Sequence, residues 1–118
     1  MTQARKHTKT PRSAYSICRE WRQVHLKCAY EISMLDPEDD DGTDLIVDLA
    51  TASQRELERD LADATVTTTE DASAVLGIAL CLLHEGWGAE SQRIEHLIGV
   101  ARHGLVTIDN AAKRREVA

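Results

Sequence analysis

Two short pairs in this 118-residue sequence have the residue types and the spacing to hold a metal. His25 and Cys28 are three apart, as are Cys81 and His84. Residues three apart share a helix face, and two such pairs on neighbouring helices supply the Cys2His2 set that binds zinc tetrahedrally. Cys18 lies on the same stripe as His25 and Cys28 and offers a further donor. The competing reading is packing, because cysteine behaves as a small buried hydrophobe. Structural zinc sites also announce themselves by closely spaced cysteine pairs on loops, and this chain has none. Packing is the stronger reading, so no metal and no cofactor are expected. Cys28 with His25 as its base is the nearest approach to a nucleophile, and on an apolar stripe the two are again expected to pack. No nucleophile elbow, phosphate loop or dinucleotide-binding glycine pattern occurs. No catalytic residue is assigned, and the chain reads as a non-enzyme.

Charge is the second source of candidate chemistry. The net charge is −6, and it is unevenly spread. Residues 1–27 carry seven Lys and Arg against one acid, Glu20, whereas residues 28–71 carry fourteen acids against Arg55 and Arg59. Residues 72–118 balance at five and five. The basic front, with Arg5, Lys6, Lys9 and Arg12, has the residues to contact nucleic-acid phosphates. The acidic run Glu38, Asp39, Asp40, Asp41 and Asp44 invites two readings. As a calcium loop it fails: with Gly42 as the loop glycine, Pro37 falls at the first ligand position and Asp48 at the last. As a surface it can meet a basic protein partner, or imitate a nucleic-acid backbone in a basic groove.

The elements that must position these residues are helical. Residues 1–12 are nearly devoid of apolar side chains and read as a mobile basic arm before a helical domain over 13–118. From Ser13 as cap, Ala14, Ile17, Cys18, Trp21, Val24, His25, Cys28, Ile32 and Leu35 follow helical spacing. Asp36-Pro37 closes that helix and an acidic loop follows. A second helix, capped by Thr43 or Asp44, places Leu45, Ile46, Leu49, Ala50, Ser53, Leu57, Leu61 and Ala64 on one face. Its opposite face, Gln54, Arg55, Glu58, Arg59 and Asp60, is expected in solvent.

A third helix over about 68–85 has two capping-box signatures, Thr67 with Glu70 and Thr68 with Asp71. It is apolar on nearly all sides and is expected to be surrounded by the other three. The Gly86-Trp87-Gly88 connection leads to a fourth helix from Ala89 or Ser91, with Ile94, Leu97, Ile98, Ala101, Leu105, Ile108 and Ala112 as its stripe. Gly99 and Gly104 interrupt it and invite close approach of a neighbour. The longest apolar run, Ala72 to Leu83, is too short for a bilayer, which needs roughly 20 residues. Three unpaired cysteines and no secretory signal point to a reducing cytoplasm. The fold class is all-α, a single-domain four-helix bundle.

The stretch Thr67-Thr68-Thr69-Glu70-Asp71-Ala72-Ser73-Ala74-Val75-Leu76, with Trp21 ahead of the acidic run Asp36–Asp44, resembles small uncharacterised helical proteins of alphaproteobacteria and their prophages. The resemblance covers the layout of residues 15–110. It implies an all-helical fold and a bacterial or phage origin, and it brings no activity. The functional expectation is a protein-interaction or regulatory module. Its partner would contact Glu38, Asp39, Asp40, Asp41, Asp44 and Trp87, with a homodimer expected from surplus apolar surface on the last two helices. The alternatives are an acidic nucleic-acid mimic and a nucleic-acid binder using Arg5, Lys6, Lys9 and Arg12.

Overall fold

The computed structural model describes residues 12–84 and 91–117. Among these the chain forms four α-helices: α1 Ala14–Ser33, α2 Asp40–Asp60, α3 Thr69–His84 and α4 Ser91–Val117. A 3-10 turn, Leu61–Asp63, extends α2. The all-α bundle read from the sequence is the fold. Within it, Arg5, Lys6, Lys9 and Trp87 lie outside the described residues.

The helix starts follow from their caps. The Ser13 side chain accepts the Ser16 N–H at 3.1 Å and opens α1. At α2 the cap is Asp39, whose Oδ1 accepts the Gly42 N–H at 2.9 Å. The helix therefore starts at Asp40, ahead of the expected Thr43 or Asp44. Asp40 and Asp41 fill its first turn, where carboxylates complement the positive end of the helix dipole. Much of the expected acidic loop is thus helix and cap. At α3 the Thr68 signature forms: Thr68 Oγ1 accepts the Asp71 N–H at 3.1 Å, and Asp71 Oδ2 accepts the Thr68 N–H at 3.3 Å.

Asp71 does more than cap its own helix. Its Oδ2 also accepts the Thr67 N–H at 3.0 Å, and its Oδ1 accepts the N–H of Tyr15, in the first turn of α1, at 3.0 Å. Beside it, the backbones of Ser13 and Thr65 form an isolated parallel bridge: Ala14 N–H donates to Thr65 C=O at 2.9 Å and Thr65 N–H to Arg12 C=O at 3.0 Å. The starts of α1 and α3 are therefore fastened side by side, and the two helices run parallel. Helix α2 returns antiparallel along α1, and α4 returns antiparallel along α3.

The core gathers Ala14, Ile17, Cys18 and Trp21 from α1, Leu57 and Leu61 from the second helical segment, Ala72, Val75, Ile78, Ala79 and Leu82 from α3, and Leu97 and Ala101 from α4. Burying each of the larger side chains contributes about 1.5–3 kcal/mol. Helix α3 packs on α1 and α4, and α2 packs mainly on α1. It is thus not enclosed by all three neighbours, and Leu80 and Leu83 stand more than half exposed. Helix α2 is rotated from the expected face: Leu45, Leu49 and Ser53 point outward, while Gln54 and Glu58 are buried. No helix among the described residues is long and apolar enough to cross a membrane.

Two substitutions separate the glycines of α4. A β-carbon on Gly104 would collide with Val66, whereas one on Gly99 would meet nothing within 4 Å. Gly99→Ala is expected to stabilise by up to about 1 kcal/mol through helix propensity, and Gly104→Ala to destabilise; urea unfolding of both variants measures the difference.

A second prediction concerns Asp71. Burial raises its pKa, but hydrogen bonds from Thr67, Tyr15 and Thr68 outweigh this and bring it below its ordinary 3.8. A depressed pKa contributes stability that is complete above the unfolded value and lost as pH falls through the folded one. Asp71→Asn is expected to cost about 2–4 kcal/mol near neutral pH, from the cap and the stranded donors. The gap from wild type narrows below about pH 4, as thermal melts from pH 7 to pH 3 would record.

Candidate functional site

Besides Asp71, the densely bonded carboxylate of the interior is Glu58, on the buried side of α2 and 5% exposed. Three helices converge on it. From α1, Trp21 Nε1 donates to Glu58 Oε2 at 2.8 Å. From α4, Arg93 Nε donates to Oε1 at 2.8 Å and Arg93 Nη2 to Oε2 at 2.5 Å. His96, one residue short of a turn further along α4, places Nε2 3.2 Å from the Glu58 carbonyl oxygen. A carbonyl oxygen only accepts, so that nitrogen carries the hydrogen. The guanidinium and carboxylate meet as a fork, the geometry arginine is shaped for, and both side chains are about nine-tenths buried.

Each partner is fixed by its own neighbours. Trp21, 1% exposed, is stacked against the His25 ring, with centroids 5.7 Å apart and planes 5° from parallel. One turn before Glu58, Gln54 is 7% exposed, and its Nε2 has no hydrogen-bond partner among the described residues. It borders a cleft of about 280 Å3 between α1 and α2 that His25, Cys28 and Arg93 also line. On the other side of the ion pair, a groove of about 510 Å3 between α2 and α4 is lined by Arg55, Arg59, Gln92 and His96 together with Glu58 and Arg93.

The residues singled out from the sequence fare differently. His25, Cys81 and His84 do border one cleft, with Arg22 and Gly77, while Cys28 faces the cleft next to Gln54. Among the described residues no three His, Cys, Asp or Glu side chains are grouped as metal ligands. The zinc arrangement weighed from spacing is not assembled there. His25 spends one ring face on Trp21, the packing role that was the stronger expectation. Burial pushes the Cys18 thiol up to about 12, against a smaller lowering by Arg22, so it has little thiolate character.

Among the acids, Asp39 is a cap, and Asp36 Oδ1 accepts the Glu38 N–H at 2.9 Å in a local turn. Glu38, Asp40, Asp41 and Asp44 are exposed. Arg12 is turned onto its own helix, with Nη2 2.7 Å from Glu20 and 3.3 Å from the Ser16 hydroxyl.

Glu58, Arg93, His96 and Gln54 were not singled out by sequence reasoning. One signal for them existed. A buried tryptophan needs an acceptor for its N–H, and Trp21 sits in the middle of the strongest apolar stripe of α1. No protein-family model, curated protein or solved structure matches the chain.

The ion pair makes a measurable prediction. Removing one partner of a buried pair strands the other charge, at a cost of about 3–5 kcal/mol, whereas replacing both by apolar groups of similar volume is far milder. Glu58→Gln is therefore expected to lose most of that amount in urea unfolding, and the double variant Glu58→Leu/Arg93→Met to recover much of it. A loss in the double variant equal to the sum of the Glu58→Leu and Arg93→Met losses would show that the pair contributes nothing beyond its separate side chains.

Proposed function

We propose that the chain is a non-enzymatic helical module that binds a protein partner, acting in the cytoplasm of a bacterium or its phage. The observation that carries this reading is the outer ridge of α1 and its C-cap. Leu26, Tyr30 and the capping Met34 follow one another at four-residue intervals and are 67%, 64% and 68% exposed. Large apolar side chains on successive turns of one helix form the ridge that a partner groove receives in helix-in-groove recognition, and contiguous exposed apolar surface marks interaction sites. Leu45 and Leu49 add an outward pair on α2.

Charge gives the partner its complement. The connection from α1 to α2 and the first turns of α2 present Glu38, Asp40, Asp41 and Asp44 to solvent. A partner with an apolar groove and a basic rim fits this end of the bundle, the rim contacts setting association rate and the anchors setting residence time. The same exposed acids support the acidic-mimic reading, in which the partner groove is one that otherwise holds nucleic acid. That reading is the weaker, because Asp39, Asp40 and Asp41 already serve the start of α2. For a nucleic-acid binder the support is weaker still, with Arg12 engaged by Glu20.

Affinity capture from native lysate, with nuclease, tests the proposal. Wild-type protein is compared with Leu26→Ser/Tyr30→Ser/Met34→Ser and with Asp40→Asn/Asp41→Asn/Asp44→Asn. One stoichiometric protein that survives nuclease is expected, bound at least about tenfold more weakly by the ridge variant, since central anchors typically contribute 2 kcal/mol or more. The neutralised variant is expected to slow association. Capture of nucleic acid alone would sink the reading. Light scattering separates a second copy from a foreign partner: a dimer lost in the ridge variant makes the partner another copy of this chain.

A further inference from the structure

The groove between α2 and α4 holds cations that the Glu58 network does not use. Arg55 and Arg59 stand one turn apart on α2, both exposed. Facing them on α4, which runs parallel to α2, Gln92 and His96 also stand one turn apart, and the buried Arg93–Glu58 pair lies between the two walls. Residues four apart on a helix hold their side chains as neighbours. The groove is thus bounded by two facing pairs of polar groups over a rigid base.

The placement of the two arginines is the informative part. They are the only Lys or Arg in residues 28–71, among fourteen acids. Glu56, Asp60 and Asp63 follow them closely in sequence, yet among the described residues neither arginine's side chain forms an ion pair with them. Among the described residues the one acid lining the groove is Glu58, whose oxygens are taken up by Trp21 and Arg93. Over the described lining residues Glu58 cancels Arg93, so Arg55 and Arg59 leave the groove with two net positive charges inside a protein of net charge −6. His96 adds a polar edge: with Nε2 committed to the Glu58 carbonyl, Nδ1 is left to accept from a hydroxyl.

We propose that this groove is a binding site for a phosphate monoester carrying hydroxyl groups, in the class of sugar phosphates and nucleoside monophosphates. The two guanidinium groups clamp the phosphate, since their planar forks match its oxygens in paired hydrogen bonds. Gln92 and His96 receive the hydroxyl-bearing part. The groove volume of about 510 Å3 falls within the range of small-molecule sites. This site is separate from the α1 ridge and stands or falls independently of it.

Isothermal titration of the full chain at constant ionic strength tests the proposal, with inorganic phosphate, ribose 5-phosphate and adenosine monophosphate as probes. Saturable binding of one monoester per chain is expected, tighter than that of inorganic phosphate. Arg55→Gln/Arg59→Gln is expected to bind at least about tenfold more weakly, while Arg19→Gln, an exposed arginine on α1, binds as wild type does. Both groove arginines are exposed and, among the described residues, form no ion pair, so circular dichroism of the double variant should be unchanged, which makes lost binding readable as a lost site. The proposal is overturned if no probe binds saturably, if the double variant binds as tightly as wild type, or if only inorganic phosphate binds.

Discussion

One carboxylate holds the beginnings of two helices together. Asp71 accepts hydrogen bonds from the backbone of α1 and from the two residues that lead into α3, and it is 4% exposed. Both helices start with unsatisfied N–H groups and a positive dipole end, so two adjacent starts repel unless an anion stands between them. Asp71 is that anion. The parallel course of α1 and α3 depends on it, and with that course come the shared core of Ile17, Trp21, Val75 and Ile78 and the sides left for α2 and α4.

The second polar centre fastens what the first leaves loose. Helix α4 packs on α3, and its tie to the other side of the bundle is the Arg93–Glu58–Trp21 chain. A hydrophobic contact there would tolerate sliding of one helix along another. A forked ion pair with an indole on the same carboxylate has one low-energy register. Such a pair contributes little net stability and much orientation. Its cost is the desolvation of two charges. Its result is that Gln92 and His96 are carried to a fixed height opposite Arg55 and Arg59.

Much of this was legible in residue order and some was not. The four helices, the Ser13 cap and the Thr68–Asp71 capping box follow from local chemistry, which a sequence records directly. The rotation of α2 does not. Leu45 and Leu49 look like core by hydropathy, while Gln54 and Glu58 look like surface, and the fold reverses both. The reason is non-local: Trp21 and Arg93 supply the donors that make Glu58 cheap to bury, and neither is near it in sequence. The exposed leucines follow from the same rotation. Gly99 and Gly104 likewise look alike in sequence, and only the nearby Val66 tells them apart. The arginine groove was hidden because its two walls come from helices more than thirty residues apart.

The tie between Tyr15 and Asp71 spans 56 residues of chain. A ribosome delivers the amino terminus first, at roughly 5–20 residues per second, so α1 and α2 exist as a hairpin for about a second before the residue that fastens α1 to α3 is made. During that interval the apolar side of α1 has α2 to lie against and nothing yet where α3 will be. The nascent hairpin is thus the stage at which this chain is most exposed to wrong partners, and the acids concentrated in its turn and along α2 keep such hairpins apart by mutual repulsion.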